Sequence, residues 1–152
     1  MDGVVAGIYL SAVAGGAMQH RDEVEVGPGG VVGDRYSSGN GSWSSKPASG
    51  RALTLIEEEA IEAVRRDYGV ELAPGATRRN LVTRGVALNH LVGRTFRVGE
   101  AEVVGVRLAE PCAHLEKVSG SGLMRPLVHR AGLRADILAG GTISLGDQVV
   151  PA

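Results

Sequence analysis

Apolar and polar residues alternate along this chain in short runs separated by glycine-rich turns. Val4-Val5-Ala6-Gly7-Ile8-Tyr9-Leu10 is apolar and β-branched and reads as a strand, ended by Gly15-Gly16. Glu23-Val24-Glu25-Val26 has the period of a half-buried strand. Gly27-Pro28-Gly29-Gly30 is a turn cluster, after which Val31-Val32 resumes the apolar character. Asn80-Leu81-Val82-Thr83 is a short strand. Thr95 to Val98 and Ala101 to Leu108 form a hairpin, because Gly99-Glu100 suits a tight two-residue turn. Leu133, Ala135 and Ile137 alternate in a further strand, followed by Thr142 to Leu145 and, after Gly146-Asp147, Gln148 to Val150.

Helical spacing is rarer. Thr54-Leu55-Ile56-Glu57 has the form of a capping box, with Thr54 as N-cap and Glu57 at N3. Glu57, Glu58 and Glu59 then suit the positive end of the helix dipole, and Ile56, Ala60, Ala63 and Val64 give the apolar stripe. Arg65 and Arg66 fall in the last turn, and Gly69 supplies the stop. A short helical pattern runs from His114 to Val118. Leu123, Leu127, Val128 and Ala131 are also helically spaced, with Pro126 in the first turn. Val86 to Leu91 is too short to assign. Residues 37–50 are rich in Ser and Gly and read as a loop, either a lid carrying Trp43 and Lys46 or a plain surface excursion. Together these runs predict a mainly β domain spanning residues 1–152. It is a barrel or sandwich of seven to nine short strands with two or three short helices.

Composition adjusts this picture in three places. Gly contributes 23 of 152 residues without a G-X-Y period, so collagen is excluded and the glycines fall to tight turns. Aromatic residues are 3%, so the core is built from Val, Leu, Ile and Ala, and few faces exist on which bases could stack. With a pI near 6.4 this argues against a nucleic-acid-binding domain. No apolar run is long enough to cross a membrane as a helix, and Met1-Asp2-Gly3 lacks the basic start of a signal peptide. With a single cysteine, Cys112, the expected compartment is the reducing cytoplasm.

The net charge of −1 conceals an asymmetry: residues 1–77 carry −5, residues 78–134 carry +6, and residues 135–152 carry −2. All but two of the 16 basic residues are Arg, the side chain suited to bidentate recognition of anions. The surplus fits an anionic ligand or a solvated surface. Nucleotide-binding P-loops, H-E-x-x-H and G-x-S-x-G are absent, and His20, His90, His114 and His129 lack metal-ligand spacing. Four clusters remain: Gly33-Asp34-Arg35-Tyr36, Arg78-Arg79-Asn80, Pro111-Cys112-Ala113-His114, and His129-Arg130-Ala131-Gly132-Leu133-Arg134. A barrel gathers strand ends at a rim, where these could place a thiol among arginines that lower its pKa. The alternative is a Cys112 that merely fills space.

The ordered set of Val-Gly-Asp-Arg35, Arg51-Ala-Leu-Thr-Leu-Ile-Glu-Glu-Glu, Pro74-Gly-Ala-Thr-Arg-Arg-Asn-Leu-Val-Thr-Arg-Gly-Val, Leu91-Val-Gly-Arg-Thr-Phe-Arg-Val-Gly, Glu110-Pro-Cys, Gly132-Leu-Arg-Ala-Asp-Ile-Leu-Ala-Gly-Gly-Thr-Ile and Gly146-Asp resembles the MOSC domain, named for the C-terminal domain of molybdenum cofactor sulfurases. The resemblance runs from about Val31 to Val150. It implies a β-barrel-like fold and an essential cysteine, here Cys112, that bears a persulfide or ligates molybdenum. It also carries over Arg35, Arg79, Asn80 and Arg130 as cofactor-binding positions, with Lys46 joining them from the loop. Tyr36 stands where the family often has His. The aminotransferase-like partner of full sulfurases is missing from this sequence, and nothing in it suggests pyridoxal phosphate chemistry.

Three functions follow. Cys112 ligates a molybdenum cofactor (molybdopterin), as a molybdenum-dependent oxidoreductase would, or carries sulfur, as a sulfurtransferase would. In both, Arg35, Arg79 and Arg130 hold an anionic group, and Asn80 binds the ligand or braces the loop. A sulfur-donor or electron-transfer protein would be the partner. Cys112 could instead pass sulfur to an organic acceptor with no cofactor at all. The third function is a non-catalytic barrel that binds an anionic small molecule or a partner protein.

Overall fold

The computed structural model describes residues 2–13, 15–34, 49–111 and 125–152. The chain is mainly β. Seven strands close into a barrel: β1 (Gly3–Leu10), β5 (Leu53–Glu57), β6 (Leu81–Arg84), β7 (Thr95–Val98), β8 (Ala101–Leu108), β9 (Leu133–Ala139) and β11 (Gln148–Pro151). Their order is β11-β7-β8-β9-β5-β6-β1, and β1 closes the ring on β11 with Gly3 opposite Val149. The two-residue strand β2 (Gln19–His20) extends β1. A separate sheet of β3 (Glu23–Gly27), β4 (Gly30–Val31) and β10 (Gly141–Ser144) contributes Val24, Val26, Val31 and Ile143 to the barrel's core.

Alternation explains the lumen. Leu53 and Leu55, Leu133 and Ala135, and Phe96 and Val98 point inward from their strands and are fully buried. Strand β1 breaks the rule once. A bulge between Val5 and Gly7 shifts its register against β6, so the inward set passes from Val5 to Ile8 and Leu10. Gly105 is required where β8 meets the preceding loop, since a Cβ there would lie 2.1 Å from the Leu91 carbonyl oxygen.

A second apolar layer lies outside the barrel. Helix α1 (Glu58–Tyr68) buries Ala60 and Val64 against Ile56, Val82, Leu127 and Ala131. Gly69 ends it with φ 67°, and its N–H donates to the Arg65 carbonyl, as expected of a glycine stop.

The capping-box expectation fails. Thr54 lies in β5, the helix begins at Glu58, and Glu57 precedes it with no side-chain cap. The Thr54 hydroxyl instead accepts the Asn80 N–H at 3.0 Å and donates to Asn80 Oδ1 at 3.2 Å. A cap contributes about 1 kcal/mol. Burying each of Leu53 and Leu55 in the lumen contributes about 1.5–3 kcal/mol, so strand formation wins. Residues 125–130 form turns rather than the predicted helix; Leu127 and Ala131 are nonetheless buried, while Val128 is exposed. Leu88–Leu91, unassigned from sequence, is a 3-10 turn. The predicted helix at His114 to Val118 and most of the 37–50 loop lie outside the described residues.

Candidate functional site

Strand pairing brings distant residues to one level. Leu55 lies opposite Leu81 on β6 and Leu133 on β9, and Leu133 lies opposite Leu108 on β8. The start of β6, the start of β9 and the end of β8 therefore form a seam on the barrel wall, and the end of β1 joins it through β6.

Three consecutive residues stitch the seam. Arg79 is 7% exposed, and its guanidinium donates from Nε to the Ala131 carbonyl and from Nη2 to the Ala109 carbonyl, each at 2.8 Å. Ala109 in turn donates its N–H to Gly132. Asn80 accepts from the Thr54 N–H and hydroxyl through Oδ1 and donates Nδ2 to the Tyr9 carbonyl, so it ties β1, β5 and β6 together. Arg78 adopts φ 58°, unusual for a residue with a Cβ. It donates Nη1 to the Gly16 carbonyl at 2.6 Å, anchoring the segment after β1. Asp34 reaches the same segment and accepts the Ser11 N–H at 3.1 Å.

Beside the seam, Glu110 holds His129. Glu110 Oε1 accepts the His129 backbone N–H at 2.7 Å, and Oε2 lies 2.6 Å from Nδ1. His129 is, with Arg78, one of two non-glycine residues with positive φ among the described residues, at 63°, and its carbonyl accepts from Asn89 Nδ2. Burial pushes the Glu110 carboxyl up, but the His129 N–H and ring outweigh it and leave the group below the ordinary glutamate range. Burial raises Glu57, offset in part by the Leu88 N–H that it accepts.

Of the residues proposed from sequence, Arg79 and Asn80 stand in the seam. Arg130 lies at its edge: Nε donates to the Pro126 carbonyl at 2.7 Å, and the guanidinium sits 3.7 Å from Asp67 and 6.0 Å from the Tyr68 ring centroid. Arg35, Lys46 and Cys112 lie outside the described residues. The pairing of Glu110 with His129 was missed. His129 opens one of the clusters singled out from sequence and Glu110 adjoins another, but no spacing rule links positions 19 apart. Among the described residues no group of three His, Cys, Asp or Glu side chains gathers to hold a metal. The larger open cleft, about 540 Å³, is lined by Arg97, Glu100, Thr142 and Asp147 and includes no seam residue.

A closed seven-strand barrel with an arginine-stitched seam defines a small β-barrel protein. The model of the MOSC domain matches residues 33–150, and the chain belongs to that family. The fold is also that of YuaD from Bacillus subtilis, at 15% identity and TM-score 0.77, with 98% of this chain and 94% of that one covered. YiiM from Escherichia coli is similar at 20% identity and TM-score 0.71, covering 100% of this chain and 70% of that one. YiiM from Geobacillus stearothermophilus gives 16% and 0.70, covering 99% and 75%. Among curated proteins none matches this chain.

Proposed function

We propose that this MOSC domain is a sulfur carrier whose Cys112 thiolate takes a sulfane sulfur from a persulfide donor. The thiolate attacks the terminal sulfur of R–S–S–H. The donor S–S bond breaks, Cys112–S–S–H forms, and R–S⁻ leaves, so no external oxidant is required. The observation that carries this reading is the Arg79 clamp. A buried cation is fastened to Ala109, which leads into the cysteine segment, and to Ala131, which follows it. Positive charge in a low-dielectric surrounding favours a thiolate.

The family's link to a molybdenum cofactor calls for a test of fit. Arg79 and Arg130 spend donors on backbone carbonyls, and the Asn80 amide is engaged at both ends. Among the described residues Arg51 keeps a buried nitrogen, Nη1, without a hydrogen-bond partner. The described side chains by themselves do not assemble a phosphate cradle, Arg35 and Lys46 lying outside the described residues, and no step is derived through a pterin.

The test is to incubate the purified protein with a persulfide donor and locate the added sulfur by mass spectrometry. One sulfur atom on Cys112, absent in Cys112→Ser, supports the proposal. Stoichiometric bound molybdenum and released pterin would replace it with the metal-ligand role. A Cys112 that resists both sulfur loading and iodoacetamide below neutral pH would leave the non-catalytic barrel.

A further inference from the structure

The chain leaving β8 and the chain entering β9 meet at one point. Ala109 donates its N–H to the Gly132 carbonyl at 2.8 Å, and Arg79 bridges the Ala109 and Ala131 carbonyls. Glu110 and His129 face each other at this neck. One carboxylate holds His129 twice, through the backbone N–H at 2.7 Å and through ring Nδ1 at 2.6 Å. Asn89, on the 3-10 turn, donates Nδ2 to the His129 carbonyl at 2.9 Å. Arg130, the next residue, donates to the Pro126 carbonyl and lies 3.7 Å from Asp67, so Glu110 is the charged group bonded to the ring.

Packing does not account for this arrangement. The His129 side chain is 78% exposed, and exposed ion pairs contribute little to stability. Yet the hydrogen bonds hold the residue in a left-handed backbone, φ 63°, which is unfavourable for a side chain with a β-carbon. Strained residues fixed by their surroundings collect at functional sites. The Glu110 carboxyl lies below the ordinary glutamate range and is ionised at neutral pH, so it only accepts, and Nδ1 carries the proton between them. The other ring nitrogen, Nε2, makes no hydrogen bond among the described residues. The result is an imidazole fixed at Nδ1 and open at Nε2, on the side chain whose charge changes in the neutral range.

Cys112 lies outside the described residues, but the covalent chain bounds its distance. Two peptide units separate it from Glu110, a span of at most about 7 Å. We propose that His129 is the general acid of the sulfur transfer, donating its Nε2 proton to the thiolate that leaves the persulfide donor, with Glu110 and Asn89 as positioning residues. This rests on the sulfur-carrier reading. As Cys112–S⁻ attacks the terminal sulfur of R–S–S–H, the donor S–S bond breaks with its electron pair on R–S⁻. The His129 imidazolium gives its Nε2 proton to that sulfur. The products are Cys112–S–S–H, R–S–H and a neutral ring, which water reprotonates. Alkyl thiolates are the poorer leaving groups that an acid assists, so the donor class is an alkyl persulfide.

The test compares two reagents on the purified full chain at neutral pH. Cysteine persulfide delivers sulfur with an alkyl leaving group, and its loading is followed by mass spectrometry. Dithionitrobenzoate reacts with the same thiol but releases an aryl thiolate that needs no proton. His129→Asn removes the acid and keeps a side chain that accepts the left-handed backbone. It should slow sulfur loading by about 10-fold or more while changing the dithionitrobenzoate rate by less than about 2-fold. Glu110→Gln should show the same split at smaller size, about 2- to 10-fold, and stands in if His129→Asn does not fold. Loading unchanged in His129→Asn, or both reagents slowed equally, overturns the proposal and leaves the carrier reading in place. A parent protein that takes no sulfur from cysteine persulfide overturns the carrier reading and this proposal with it.

Discussion

Replacing Arg79 by Leu removes the clamp and leaves the Ala109 and Ala131 carbonyls without their guanidinium partner. Hydrogen bonds from a charged donor contribute about 1.5–3 kcal/mol each, so two give about 3–6 kcal/mol. Leucine no longer requires a charge to be buried, which offsets part of the loss and brings the expected net cost to about 2–4 kcal/mol. For a chain of this size that lowers the melting temperature by about 5–15 °C. The measurement is urea and thermal unfolding followed by circular dichroism, with amide exchange at Ala109 as the local readout. Arg130→Leu is the control. Its side chain is 31% exposed, its ion pair is 3.7 Å long and it makes one hydrogen bond, to Pro126, where Arg79 makes two buried ones, so its loss should cost about 1 kcal/mol, well below that of Arg79. A melting temperature of Arg79→Leu within about 2 °C of the parent would refute the clamp. So would an equal loss in Arg130→Leu.

Three further outcomes are expected. Thr54→Val removes the hydroxyl from Asn80 and should cost about 1–3 kcal/mol while the folded protein keeps its helical signal at 222 nm. A selective loss of that signal would restore Thr54 as a helix cap. Gly105→Ala drives a Cβ to 2.1 Å from the Leu91 carbonyl oxygen and should destabilise by about 3 kcal/mol or more in denaturant unfolding, and an unchanged midpoint would exclude that close approach. The two perturbed glutamates act with opposite sign. Glu57, raised by burial, contributes stability that is full below about pH 4.3 and is lost as pH rises through its folded value, so Glu57→Gln should gain on the parent across that rise. Glu110, despite burial that pulls upward, is held low by His129. Its contribution is present above about pH 4.3 and lost as pH falls through its folded value, so Glu110→Gln should lose ground at neutral pH and converge with the parent in acid. Unfolding free energies of both variants across this range check the two signs.

Much of the strand content was legible because period-two patterning is local. Glu23 to Val26, the Gly99-Glu100 hairpin and the Leu133, Ala135, Ile137 alternation needed nothing beyond neighbouring residues. The glycine stop at Gly69 was legible for the same reason. The capping box misled because its local signal competes with burial in a lumen that exists only once β5 is flanked by β6 and β9. Arg79 and Asn80 were legible as notable residues, but the partners of their side chains were not: Ala109, Ala131, Thr54 and Tyr9 lie 26 to 71 positions away in sequence.

By itself the sequence determined a mainly β chain of short strands, its glycine turns, the uneven arginine distribution and the ordered motifs of the MOSC family. The tertiary structure alone decided that β5 runs parallel to β6, that β1 shifts its inward face at Gly7, and that Arg79 faces two carbonyls. Patterning specifies which face of a strand is buried, because that depends on adjacent residues. Which strands become neighbours, and so which backbone oxygens a buried guanidinium meets, depends on closing the ring between β1 and β11.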